Sequence, residues 1–185
     1  MKMLFKFDVD SNTALTMIEL RDAEELFAVV DSSRSYLREW LPWLDTSQTV
    51  ADTRNFIQTS IDKHARNEGF QCCIRCEDKI VGVIGFHKID WDNRIGEIGY
   101  WLTQQNQGRG IMTNCCRTLV ELAFSELDLN RVVIRAAEKN LRSRAIPERL
   151  GFVKEGIQRV AEWLYDHFVD LVMYSVLKRD WGLTR

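Results

Sequence analysis

A mixed α/β fold, with one central sheet of about seven strands flanked by helices, is what three observations in this 185-residue sequence predict. Short apolar runs of period two recur along the chain, segments of helical period separate them, and a glycine-rich loop near the middle joins a strand-like run to an apolar-periodic one. A hydrophobic content of 45% in this length can bury a sizeable core, and the length suits one domain spanning 1–185 better than two. Neither repeats nor a Pro/Gly-rich linker interrupt it.

Element by element, Thr13 to Leu20 reads as a strand, and Asp22 then caps a helix to Val30 with Leu26, Phe27 and Val30 on one face. Trp40-Leu41-Pro42-Trp43 breaks it off. Thr49-x-x-Asp52 is a capping-box start for a helix carrying Ile57, Ile61 and Ala65. Two alternating runs, Phe70 to Cys76 and Ile80 to Ile89, predict a hairpin turning near Asp78. The strand Ile95 to Leu102 precedes the loop, and the helix from Arg109 to Leu127 is apolar on a wide face (Ile111, Cys115, Leu119, Leu122; Met112, Cys116, Val120, Ala123), so it belongs in the core. Arg131 to Ala137 is a strand, Leu141 to Leu150 a short helix, and Gly151 to Leu164 with Phe168 to Leu177 a closing hairpin around Asp166-His167.

Composition excludes several functions. A net charge of −2 without a Lys/Arg block gives no electrostatic footprint for nucleic acid. No apolar run approaches the ~18 residues of a membrane span, and Met1-Lys2-Met3-Leu4-Phe5-Lys6 is too short an apolar core for a signal peptide, so a soluble cytoplasmic protein is expected. Five cysteines, bunched as Cys72, Cys73, Cys76 and Cys115, Cys116, suit a reducing compartment. Cys73-x-x-Cys76 lies within a strand and lacks a second ligand pair; packing is its expected role, and no metal is predicted.

The loop Gln105-Asn106-Gln107-Gly108-Arg109-Gly110 carries the functional signal. Glycine lets backbone approach a ligand, and the first amides of the following helix have no partner inside it, so the loop is suited to phosphate. A Walker loop would need Gly-Lys-Ser/Thr, and a dinucleotide fingerprint a third glycine where Thr113 stands; both fail. Gln-x-x-Gly-x-Gly between strand and helix resembles instead the acyl-coenzyme A loop of the GNAT N-acetyltransferases. Asn140-Leu141-Arg142-Ser143 followed by Glu148-Arg149-Leu150-Gly151-Phe152 resembles a second segment of that superfamily, and the resemblance runs from Arg21-Asp22 to Tyr174.

Within it the chain is most similar to the RimJ/RimL ribosomal-protein N-terminal acetyltransferases. Leu37-x-x-Trp40-x-Pro42-Trp43, Gly96-x-Ile98-Gly99-Tyr100-Trp101-Leu102, Gln107-Gly108-Arg109-Gly110-Ile111-Met112-Thr113 and Gly151-Phe152-x-x-Glu155-Gly156 carry this; Asp166-His167 departs from the Asn-Gly often found in the group's last hairpin. The resemblance implies a twisted, mostly antiparallel sheet and acetyl-coenzyme A as co-substrate. It also implies pyrophosphate binding by the amides from Gln107 to Met112 with Gln105, Gly108, Arg109, Gly110 and Ile111 in the loop. Backbone groups of Trp101 and Leu102 would pair with pantetheine, and Asn140 would complete the site. Arg109, Lys139, Arg142 and Arg144 stand near enough in sequence to meet phosphates or to be solvated.

Such chemistry needs a neutral amine, donors for an oxyanion, and a donor for the departing sulfur. Ser143 is assigned to the sulfur, since a hydroxyl donates without titrating; its alternative role is helix capping. Pro147 lacks an N–H, so the Ser143 carbonyl is expected to be free for water or ligand. By resemblance to the RimL type, Glu162 is the base acting through water, which requires burial to raise its pKa; alternatively it is a solvated charge beside Trp163. His64, His87 and His167 rank lower, and no cysteine carries a reactive-site signal, so direct attack is preferred over an acyl-cysteine.

The acceptor is left open. A ribosomal-protein N-terminus calls for an apolar groove, which Trp40, Trp43 and Trp163, with Trp91, would supply; a polyamine or aminoglycoside calls for converging carboxylates such as Asp31, Glu39, Asp45 or Asp92. A coenzyme A-binding module without turnover is the third class. The tryptophans also make a homodimer an expectation.

Overall fold

The computed structural model describes residues 6–182. Its elements run β1 (Lys6–Asp8), β2 (Thr13–Met17), α1 (Ala23–Ser32), α2 (Arg34–Leu37), α3 (Val50–Ala65), β3 (Phe70–Cys76), β4 (Lys79–Asp90), β5 (Ile95–Leu102), α4 (Ile111–Ser125), β6 (Arg131–Ala137), α5 (Leu141–Arg149), β7 (Val153–Leu164) and β8 (His167–Leu177). They form one sheet of order β1-β2-β3-β4-β5-β6-β8-β7, antiparallel throughout except where β5 lies parallel to β6. The sheet has eight strands where the sequence pattern predicts seven: three-residue β1 is too short to register as a period and exists only by pairing with β2.

Several boundaries move for identifiable reasons. The first predicted strand stops at Met17, not Leu20, because Glu19 and Asp22 cap each other reciprocally around a 3₁₀ turn. Asp22 does not cap α1 with its side chain; it accepts from Glu19 N at 2.9 Å and pairs with Arg75 at 2.7 Å. Thr49 does cap α3, accepting from Asp52 N at 3.2 Å while Asp52 accepts from Thr49 N at 2.9 Å. The last hairpin turns on Tyr165-Asp166, not Asp166-His167, since Leu164 pairs with His167.

Two cores form on opposite faces of the sheet. Leu119, Val120 and Ala123 of α4 pack on Ile98, Ile134 and Val172. On the other face Leu26 of α1 and Ile57 of α3 cover Cys73 and Val83. Because successive strand residues point to opposite faces, Cys72 joins the first core and Cys73 the second. All five thiols are free and buried, and burial pushes Cys72 and Cys115 up to about 12, which keeps them unreactive.

One irregularity creates the site. The β5–β6 pairing covers only Ile95–Ile98 against Arg131–Ile134, and the strands then diverge. From Gly99 to Leu102, β5 stays bonded to β4 along its other edge, so its edge toward β6 is left unpaired at the mouth of a wedge.

Candidate active site

The wedge opens into a cleft of about 970 Å³ lined by Tyr100, Trp101 and Leu102 from β5, by the loop and start of α4, by Asn140, Arg142, Ser143 and Ile146 of the α5 turn, and by Tyr36, Leu37, Trp40 and Leu41. An unpaired strand edge offers alternating N–H and C=O groups, which suits an extended amide-bearing ligand.

Beyond Leu102 the chain makes a 3₁₀ turn, Gln104–Asn106, and enters α4 through glycines at φ 72° (Gly108) and 78° (Gly110). Those values lie in the left-handed region that side chains disfavour, and a Cβ at either position would meet nothing within 4 Å. Open space therefore lies before the first amides of α4, which helix geometry leaves without intrahelical partners. At such a helix start the macrodipole favours an anion.

Side chains around this cradle are held. Gln107 donates to the Tyr36 hydroxyl and accepts from Arg142 Nη1 at 3.0 Å. Arg149 Nη2 donates to Thr113 Oγ1 at 3.0 Å, so both arginines line the cleft. Arg109 instead turns to Asn106 Oδ1 at 3.1 Å and, with Gln105, lines a separate hollow behind the loop. Arg144 is spent on the Tyr174 hydroxyl (2.9 Å) and the Glu138 carbonyl (2.8 Å). Sequence reasoning missed Tyr36, Tyr100 and Arg149; the last stands inside the Glu-Arg-x-Gly-Phe motif and could have been found there.

At the α5 end Asn140 is the helix cap, its Oδ1 accepting from Ser143 N at 3.1 Å. Ser143 is therefore in the first turn, not the cap, and its side chain lines the cleft. The expectation that its carbonyl is free is corrected: the Tyr100 hydroxyl donates to it at 3.1 Å, filling the place left by the missing N–H of Pro147.

Glu162 lies outside the cleft lining, on the last hairpin. It pairs with Val169, and Trp163 with Phe168, so the two point to opposite faces. Glu162 falls on the face of Arg135, which is bound in turn to Glu97. Burial raises its carboxyl above the ordinary value, with Arg135 opposing. Trp163 stacks edge-on against Phe168 at 4.7 Å and is 50% exposed, away from that face. Trp40 lines the cleft; Trp43 packs toward Trp101 with ring centroids 6.4 Å apart. His87 is the extra residue of a bulge between Phe86 and Lys88, its ring over Gly99 where the wedge begins. The hairpin tip closes toward α2, the Tyr165 hydroxyl donating to the Leu41 carbonyl and Arg38 lying 3.9 Å over the Tyr165 ring.

Four acidic side chains were candidates for gripping a polycation. Asp31 pairs with Arg34 at 3.2 Å and Asp45 with Arg38 at 2.7 Å, and neither these nor Glu39 or Asp92 line the cleft. Among the described residues no group of three or more His, Cys, Asp or Glu side chains could hold a metal ion, and no helix is long and apolar enough to cross a membrane.

A splayed parallel strand pair, a glycine cradle at a helix start and a capped Asn-x-x-Ser turn define an acyl-coenzyme A-binding transferase. Residues 13–153 match the acetyltransferase (GNAT) domain, and the chain belongs to that family. It is 37% identical over 180 residues, 96% of this chain and 98% of the relative, to YdaF of Bacillus subtilis (strain 168), provisionally named a ribosomal N-acetyltransferase. It is 30% identical to the ribosomal-protein-serine acetyltransferase of Escherichia coli (strain K12), covering 90% and 93% of the two chains. Among solved structures it is similar to RimL, the ribosomal L7/L12 alpha-N-protein acetyltransferase in complex with coenzyme A (TM-score 0.90, 28% identity, 94% and 98% covered). The microcin C7 self-immunity acetyltransferase MccE, in complex with acetyl-CoA and AMP, is also similar (0.88, 30%, 91% and 94%).

The protein is thus an N-acetyltransferase that uses acetyl-coenzyme A, and the cleft fits that co-substrate. Open space before the loop suits a pyrophosphate, and the free β5 edge suits the amides of pantetheine.

Proposed function

We infer that the acceptor is the N-terminal α-amino group of a ribosomal protein. The observation carrying this reading is the arrangement across the wedge: Ser143, bonded to Tyr100, stands on one face of the sheet, while Glu162, with its raised pKa, stands on the other with Arg135 and Glu97. An acceptor nitrogen arriving on the Glu162 face meets a thioester whose sulfur leaves toward Ser143. Trp101, Ser143, Asn140 and the amides from Gln107 to Met112 hold the co-substrate; Glu162 takes the proton, directly or through water; Trp40 offers apolar contact to the first acceptor residues.

The neutral amine decides between acceptors. An α-amine with a pKa near 8 is roughly a tenth neutral at pH 7, whereas a lysine near 10.4 is neutral less than about a thousandth of the time. A base only modestly raised from the carboxylate range suffices for the first. Neutralisation of Asp31 and Asp45 by arginines removes the anionic grip a polyamine or aminoglycoside would need. Relatives named for ribosomal-protein acetylation support the same acceptor, and a cytoplasmic location goes with it.

Intact-mass analysis of ribosomal proteins after incubation with acetyl-coenzyme A should reveal a single acetyl group on one N-terminus. A peptide with a free N-terminus and no lysine should outpace a blocked peptide with one lysine by over two powers of ten at neutral pH. If spermidine outperforms every free-N-terminus ribosomal peptide, the small-amine reading takes over.

A further inference from the structure

Tyr100 and Pro147 make a local device around Ser143 that the chemistry assigned so far does not use. In a regular helix the Ser143 carbonyl would accept from the N–H of residue 147, but proline has none. The carbonyl can only accept, so the Tyr100 hydroxyl spends its single hydrogen on it, at 3.1 Å. With that hydrogen committed, the contact between the Ser143 and Tyr100 hydroxyls, 3.3 Å long, runs in one direction: Ser143 Oγ donates and Tyr100 accepts. Burial holds the Tyr100 phenol well above its ordinary pKa, so it stays neutral through the pH range of the reaction.

The direction matters. Had Tyr100 donated to Ser143 Oγ, the serine hydrogen would be free to turn to any acceptor in the cleft, and a lone pair of Oγ would be fixed instead. At 3.3 Å the bond is longer than the 2.7–2.8 Å usual between hydroxyls, hence weak. We propose that Tyr100 is a positioning residue for thiolate departure: enabled by Pro147, it keeps the Ser143 hydroxyl as a poised donor that transfers its hydrogen bond from the phenol to the sulfur as the carbon–sulfur bond breaks.

The inference rests on Ser143 acting as donor to sulfur. The C–S electron pair goes to sulfur and the new bond is C–N. The proton lost by the acceptor nitrogen equals the one the thiolate finally gains, so Ser143 only hydrogen-bonds and neither it nor Tyr100 changes charge. Only the serine rotor moves; the phenol keeps the carbonyl, and α5 keeps its first turn.

Steady-state kinetics of Tyr100→Phe, Ser143→Ala and the double variant test this. Tyr100→Phe should lower kcat about 10-fold with KM for acetyl-coenzyme A changed less than about threefold, and should lower it no further in the Ser143→Ala background. A folded Tyr100→Phe with wild-type kcat, or a full additional loss in the Ser143→Ala background, overturns the inference. Ser143→Ala with wild-type kcat instead overturns the serine assignment itself. Tyr100→Phe leaves a carbonyl unpartnered, so Tyr100→Phe/Pro147→Ala, which returns an N–H to that carbonyl, covers a failure to fold. It should keep the kcat loss, because Oγ still lacks its phenol acceptor, and recovery to wild-type kcat would reduce Tyr100 to a partner of the carbonyl alone.

Discussion

The two sides of the cleft are built from different material. On the coenzyme side the proposed recognition rests on backbone: the free edge of β5, the glycines at φ 72° and 78°, and the opening amides of α4. On the proposed acceptor side the groups are side chains brought from distant segments, with Tyr165 of the last hairpin reaching Leu41 and Arg38, and Glu162 raised by burial on the same hairpin. A backbone site is fixed by local conformation and fails when one φ is forbidden. A side-chain site is adjustable, so its losses should be graded.

The sharpest break is Gly108→Val. A left-handed φ disfavours any side chain by ~1–2 kcal/mol, and the branched chain would also enter the open space before the amides. Together these should weaken coenzyme A binding on the order of 100-fold by calorimetry; unchanged affinity in a folded variant would erase the contrast.

Glu162→Gln tests the acceptor side through pH. Burial raises the carboxyl, so the wild-type rate should climb as pH rises through that raised value, and the variant should lose about 10- to 100-fold and flatten the profile. Stability runs oppositely. A raised folded pKa means that the native state binds the proton more tightly, a stabilisation complete below the unfolded value and lost as pH rises through the folded one. Glu162→Gln should therefore raise Tm relative to wild type above that window and not below it. A variant less stable at pH 8 than wild type would show that the carboxylate is held for structure.

Tyr165→Phe removes the hydroxyl that ties the hairpin tip to the Leu41 carbonyl. A net hydrogen bond of about 0.5–1.5 kcal/mol predicts a twofold to tenfold rise in KM for the peptide, with coenzyme A affinity unchanged. An equal effect on both ligands would merge the two sides. Smallest of all, Arg149→Ala removes a cleft cation held by Thr113, and exposed charges of this kind should change coenzyme A affinity about two- to fivefold, less at high salt.

What the sequence determined by itself is what local chemistry determines. Three strands, Phe70–Cys76, Ile95–Leu102 and Arg131–Ala137, have the bounds their alternation predicts, and the Thr49–Asp52 capping box forms as written, because period and caps act within a few residues. The glycine loop was legible for the same reason: a left-handed φ must be paid for at the residue that adopts it. Tertiary structure decided the rest. Strand β1 exists only against β2, and Arg109, next to the glycines in sequence, turns behind the loop to Asn106 while Arg149, forty positions on in sequence, faces the cleft. Trp163 and Glu162, adjacent in sequence, part to opposite faces of the sheet. The carbonyl that Pro147 leaves open is filled by Tyr100, 43 residues from Ser143. Which partner reaches an unfilled donor or acceptor depends on how the sheet and helices pack around it, and no spacing within the chain encodes that.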